Sequence, residues 1–180
     1  MHPGTLRPAD QGVPKLTGPR LYHQTVQLPP MKISLGADHA GFELKEKIKK
    51  LLLGQGLEVR DQGTFSSESV DYPDYARKVA EEVAHHSADM GILVCGSGVG
   101  MCIVANKVLG VRAANVSSEY EAQLSREHND ANILTLGARL ISDQNAFQIV
   151  QKWLETPFAG GRHQRRVDKI SEIEKQETKA

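Results

Sequence analysis

The chain is short of several things, and each shortage removes a class of answers. It has two cysteines in 180 residues, Cys95 and Cys102. That is too few for a disulfide scaffold or a cysteine-based metal site, and it favours a reducing, cytoplasmic setting. It has no net charge, because 22 basic residues offset 22 acidic ones. No global field therefore draws it to nucleic acid or to an anionic membrane. It has no apolar run long enough to span a bilayer. After residue 30 it has almost no proline, since Pro3, Pro8, Pro14, Pro19, Pro29 and Pro30 account for six of the eight.

That proline-rich opening has no helical or strand periodicity, and residues 1–30 read as a disordered extension. It lacks the apolar core of a secretory signal. Its basic, acid-poor composition resembles a transit peptide, but the prolines oppose an amphipathic helix. A tag or an over-extended start fits equally well. Residues 31–180 read as a single domain, long enough for a real core.

From Met31 onward strand and helix signals alternate. Short apolar runs predict strands at Ile33–Leu35, Leu57–Val59, Met90–Val94, Val111–Val116 and Ile133–Leu136. Helical spacing joins Leu44, Ile48, Leu51 and Leu52, and again Ala76, Val79, Ala80 and Val83 after Pro73. A third helix follows the third strand and runs to about Lys107. Ser118 and Glu121 have capping-box spacing for a fourth. Ala146, Ile149, Val150 and Trp153 mark a fifth, and Val167, Ile170 and Ile173 an extra C-terminal one. Five βα units with short connections imply a Rossmann-like, three-layer α/β/α fold on a five-stranded parallel, doubly wound sheet.

The most informative stretch is Ile92-Leu93-Val94-Cys95-Gly96-Ser97-Gly98-Val99-Gly100. A buried-strand run ends on a thiol and opens into alternating glycines, a turn whose amides converge on an anion at the start of a helix. Ligands of such sheets bind at the carboxyl ends of the strands, near the switch point of strand order. If strands one and three are neighbours, Asp38, His39, Cys95 and Ser97 meet there, with Tyr72 on the rim.

Blander readings compete at each position. A dinucleotide turn would need glycine where Met101 stands, and no acidic residue closes the next strand to hold a ribose. Cys102 lies among apolar neighbours and reads as packing. Cys95 could pack too, but a cysteine between a strand end and a helix N-terminus is placed to carry negative charge. His85 and His86 end a polar helix and read as surface residues complementing its dipole. His39 and His128 sit in polar loops, without the spacing of a metal site.

Six segments, taken in order, resemble the B-type ribose-5-phosphate isomerases, a family that also holds allose-6-phosphate and galactose-6-phosphate isomerases. They are Gly36-Ala37-Asp38-His39-Ala40-Gly41, Asp71-Tyr72-Pro73, Cys95 to Gly100, Ala105-Asn106-Lys107, Arg126 to Asn132, and Gly160 to Arg166. The resemblance runs from Met31 to about Glu174. It implies a metal-free, cofactor-free aldose–ketose isomerisation of a small phosphorylated sugar through an enediolate. Ribose 5-phosphate and ribulose 5-phosphate would be the pair interconverted, as in the non-oxidative pentose phosphate pathway, with a six-carbon phosphosugar as the alternative.

Carried over by position, the resemblance makes Cys95 the base between C1 and C2. The amides of Gly96, Ser97, Gly98, Val99 and Gly100, with the Ser97 hydroxyl, would stabilise the enediolate. His128 would open the furanose ring, assisted by Asp38. Arg112, Arg162 and Arg166, with His39 and His163, would hold the phosphate, while Tyr72 and Asn129 line the pocket. One departure stands out. Members using the cysteine mostly carry threonine where this chain has Ser97. A serine-bearing branch places a glutamate base after the last loop glycine, but here Met101 occupies that position. Cys95 is the base left in the loop.

Chain order adds a geometric expectation. His128 precedes the fifth strand and Arg112 lies at the start of the fourth, so both belong at the amino end of the sheet, opposite Cys95. A site using all three must be shared between subunits of a homodimer, in line with the family's dimers, often paired into tetramers. Two other classes compete. A phosphosugar-binding module would keep the arginines but need neither Cys95 nor His128. A thiol redox protein would want a resolving cysteine better placed than Cys102.

Overall fold

The computed structural model describes residues 30–177. The proposed extension, up to residue 29, lies outside them, as do residues 178–180. The elements follow the order β1 (Lys32–Ala37), α1 (Phe42–Gly54), β2 (Glu58–Asp61), α2 (Tyr72–Ala84), β3 (Met90–Cys95), α3 (Val99–Ala105), β4 (Ala113–Asn115), α4 (Glu119–Asn129), β5 (Ile133–Gly137), α5 (Asp143–Glu155) and α6 (Arg162–Glu177).

All five strands are parallel, in the order β2-β1-β3-β5-β4. Alternation along the strands feeds two cores. Ile92 and Val94 of β3, with Leu134 and Leu136 of β5, face α1 and α5 through Ile48, Leu52, Ile149 and Trp153. Leu93 and Cys95 face the opposite way, against Val79 and Val83 of α2 and Met101 of α3. Every residue of β3 is buried, as a central parallel strand covered on both faces requires. Each fully buried leucine or isoleucine in these layers is worth about 1.5–3 kcal/mol relative to exposure. No helix among the described residues is long and apolar enough to cross a membrane.

Local signals hold where the chemistry is local. Ser118 Oγ accepts the Glu121 N–H at 3.3 Å and Glu121 returns a carboxylate to the Ser118 N–H at 3.1 Å, closing the expected capping box of α4. Pro73 lies in the first turn of α2. Three details differ from expectation. β4 is only three residues long, because Val111 is drawn into the α2–α3 core before the strand begins. α3 stops at Ala105, where the Asn106 side-chain amide bonds the carbonyls of Cys102 and Ala113. In α6 Val167 is buried, whereas Ile170 and Ile173 remain exposed.

Candidate active site

β1 and β3 are neighbours, and β3 also pairs with β5, so three strands deliver their carboxyl ends to one place. A crevice of about 370 Å³ opens there, lined by Asp38, His39, Tyr72, Cys95, Ser97 and Arg139, among others. Each reaches it for a local reason. Asp38 ends the β1 connection, and its Oδ1 accepts the Gly41 N–H at 2.9 Å, turning the chain into α1. The Nδ1 of His39 accepts the Val70 N–H at 3.4 Å. Tyr72 opens α2 and lies against Gly100, where an added Cβ would sit 2.7 Å from the tyrosine ring.

Cys95 is the last residue of β3 and only 5% exposed. Its Sγ receives the Gly98 N–H at 3.1 Å. Gly98 has φ of 78°, in the left-handed region, and a Cβ there would run into the Asn115 side chain. The turn that supplies the sulfur's donor therefore demands glycine. Val99 N–H points back to Ser97 Oγ at 3.4 Å. Gly98 and Val99 are thus committed inside the loop and do not line the crevice, in contrast to Gly96, Ser97 and Gly100. Cys102 behaves as packing: burial pushes its thiol up, and its Sγ sits 3.4 Å from the Ala113 carbonyl oxygen.

Arg139 is the residue that reading the sequence missed. Ala138 N–H donates to the Cys95 carbonyl at 2.8 Å, and Arg139 N–H to the Gly96 carbonyl at 3.1 Å. These bonds continue the β3–β5 ladder and lay the guanidinium alongside Gly96. The available signal was a basic residue two positions past a strand end, on a strand next to the glycine turn.

The remaining expected residues gather elsewhere. His128, in the last turn of α4, stacks on His163 of α6, with ring centroids 4.2 Å apart. Arg162 Nε donates to Nε2 of His163 at 3.3 Å, and Arg166 lies one turn further along α6. Burial lowers the His163 imidazole below its ordinary value, and His128, Arg162 and Arg166 reinforce the shift. Arg112 is tied down: Nε donates to the carbonyls of Asn129 and Asp130, both at 3.0 Å, and an Nη to the Asp130 carboxylate at 2.9 Å. With Asn129 it lines a separate cleft of about 450 Å³ beside β4 and α6. Among the described residues no group of three or more His, Cys, Asp or Glu could hold a metal ion.

Comparison with known proteins bears on this arrangement. The family described as Ribose/Galactose Isomerase matches residues 33–170. Ribose-5-phosphate isomerase B of Escherichia coli (strain K12) is 52% identical over 143 residues, covering 79% of this chain and 96% of that protein. A solved ribose-5-phosphate isomerase B of Clostridium thermocellum superposes with a TM-score of 0.80 at 53% identity, covering 81% of this chain and 99% of the other. The ribose-5-phosphate isomerase B of Mycoplasma genitalium, solved with bound ribulose-5-phosphate, gives a TM-score of 0.79 at 46% identity over 81% of this chain and 97% of its own.

Proposed function

This chain belongs to the Ribose/Galactose Isomerase family, and we infer that it interconverts ribose 5-phosphate and ribulose 5-phosphate through an enediolate. The observation that carries the reading is the Cys95 Sγ, held by the Gly98 N–H at 3.1 Å on the wall of a crevice lined by Asp38, His39, Ser97 and Arg139.

The chemistry follows from these groups. Cys95, as thiolate, takes the proton from C2 of the open-chain aldose, and the electron pair moves onto the C1 carbonyl oxygen. The amides of Gly96, Ser97 and Gly100, with the Ser97 hydroxyl, receive the negative oxygen; removing one oxyanion donor costs about 2.7–4 kcal/mol of barrier in a serine protease, which sets the scale. The proton of the C2 hydroxyl passes to O1, and Cys95 then returns its proton to C1 as the C2 oxyanion collapses to a ketone. The Gly98 N–H, donated to Sγ at 3.1 Å, favours the negative form of the sulfur that a base requires. Both cysteines are free, which suits a reducing compartment such as the cytoplasm.

Ring opening requires an acid–base group at the anomeric centre, and His128 fills that role from a second subunit. Cys95 pairs with Gly137 at the carboxyl end of β5, while His128 precedes the other end. The exposed Val99 and Ile103 of α3 beside the crevice, and Ile170 and Ile173 of α6, supply apolar surface for such a homodimer. Arg162, Arg165 and Arg166 crowd the start of α6, whose first turn has no acidic residue. Cations are disfavoured at that end of a helix, so a phosphate relieves them. We assign the phosphate to Arg139 and His39 of one subunit and to Arg162 and Arg166 of the other, and give Arg112 the task of bracing the turn that carries His128.

Purified protein assayed with ribose 5-phosphate, allose 6-phosphate and galactose 6-phosphate, each with EDTA, tests the reading. Turnover of the five-carbon sugar that EDTA leaves intact supports it. Preference for a six-carbon sugar would transfer the assignment to that substrate. Binding without turnover would make the chain a phosphosugar-binding module.

A further inference from the structure

Lys45 of α1 has an exposure of 0%, an expensive position for an ammonium group that a methionine would occupy without desolvation cost. Its Nζ lies 2.7 Å from both carboxylate oxygens of Asp61 and 2.7 Å from Glu46 Oε1. Phe42 and Phe65 cover it, with ring centres 5.6 and 5.3 Å away. Lys49 adds a second ammonium 2.7 Å from Asp61 Oδ2. Burial alone would push the Asp61 carboxyl up, but hydrogen bonds from Lys45, Lys49 and the Gly63 N–H outweigh it and hold the group below the usual carboxylate range.

The onward contacts of this cluster lead to the crevice. Asp61 Oδ1 accepts the Gly63 N–H at 2.9 Å. Gly63 and Thr64 then clamp Ala37: Ala37 N–H donates to the Gly63 carbonyl at 2.7 Å, and Thr64 N–H to the Ala37 carbonyl at 2.8 Å. Ala37 immediately precedes Asp38 and His39. The same segment runs on to Val70, whose N–H donates to His39 Nδ1. A ring nitrogen that accepts a hydrogen bond carries no proton, so neutral His39 has its proton on Nε2. That leaves Nε2–H as the donor for a ligand in the crevice that His39 lines.

We propose that Lys45 is a positioning residue for substrate binding: through Asp61 it sets the Gly63–Val70 segment, which holds His39 as the Nε2–H tautomer at the crevice. The proposal rests on the isomerase reading, because the ligand it prepares for is the phosphosugar. Lys45 touches no substrate and acts only through Asp61 and the segment beyond it.

The test compares wild type, Lys45→Met, Asp61→Asn and Lys47→Met in turnover of ribose 5-phosphate, melting temperature and ¹⁵N NMR of the His39 ring. Assayed well below its melting temperature, Lys45→Met should raise KM and lower kcat/KM roughly 10- to 100-fold, the loss that follows misplacing a substrate-positioning group. Its kcat should change far less. Asp61→Asn, which keeps an acceptor for Gly63 but loses the charge, should move the same parameters in the same direction. Lys47→Met, which removes only the exposed pair with Asp143, should leave the kinetics unchanged. In wild type the neutral His39 ring should carry its proton on Nε2, and Lys45→Met should let the other tautomer appear.

A lowered melting temperature with KM unchanged would make Lys45 a purely structural residue and overturn the proposal. So would a wild-type His39 ring protonated on Nδ1, a result that holds even if Lys45→Met does not fold. Wild type inactive on every phosphosugar would sink the isomerase reading instead, and the tautomer measurement would still decide the role of Lys45.

Discussion

The ring of His128 lies flat against that of His163, with planes 2° from parallel and centroids 4.2 Å apart. The pair ties the last turn of α4 to the first turn of α6 at the amino end of the sheet, whereas Cys95 closes β3 at the carboxyl end. The four residue steps from Ile133 to Gly137 along β5 separate those ends by ~13 Å.

No side chain crosses that span within one subunit, so Cys95 and His128 should complement each other in trans. Inactive Cys95→Ala protein mixed with inactive His128→Asn protein, under conditions that exchange subunits, should regain activity. Half of randomly formed dimers are hybrids, each with one intact site, so the recovery should be about a quarter of wild-type activity per subunit. Hybrids verified by mass spectrometry that stay inactive would place both residues in one chain's site.

The two cysteines should separate cleanly. Cys95→Ala should abolish isomerisation while leaving substrate affinity nearly intact, because it removes the base and little binding surface. Turnover above a few per cent of wild type would transfer the base role elsewhere. Cys102→Ala should be almost silent, losing at most ~1 kcal/mol of packing, measurable by urea unfolding.

Two arginines should fail in different assays. Arg139→Met should raise KM about 10- to 100-fold, the worth of a charge-assisted hydrogen bond to phosphate, with little change in stability. Arg112→Met should lower the melting temperature, on the order of 5 °C, because it removes the Nε donor shared by two carbonyls and leaves the Asp130 carboxylate with Arg126 alone. The reverse pattern would return the phosphate to Arg112.

His163 should make stability depend on pH. Burial, with His128, Arg162 and Arg166 adding positive charge and Glu127 partly opposing them, holds its imidazole below the ordinary 6.5. The unfolded chain therefore binds a proton at this position before the folded protein does, and stability falls as pH drops below about 6.5 until the folded ring also titrates. Urea unfolding at about pH 7.5 and about pH 5.5 should show a larger loss for wild type than for His163→Gln. Equal losses would mean that His163 is not the group responsible.

Part of this architecture was legible because its causes are local. A strand covered on both faces must be apolar throughout, and Met90–Cys95 announces itself that way. The capping box at Ser118 and Glu121, Pro73 in the first turn of α2, and the glycines after Cys95 are all short-range backbone chemistry. Even the separation of His128 from Cys95 follows from counting which end of a strand each adjoins. What the chain order could not supply was which strands would lie side by side. The order β2-β1-β3-β5-β4 reverses the last two strands, and that reversal alone brings the Arg139 loop against Gly96. Nor could it distinguish Arg112, held by Asp130 and two carbonyls, from Arg139 at the crevice, or show that Lys45 is buried beneath two phenylalanines. A residue's type and spacing are properties of a few neighbours along the chain. Its partners depend on how the whole sheet buries its apolar surface, and that is settled only when distant segments meet.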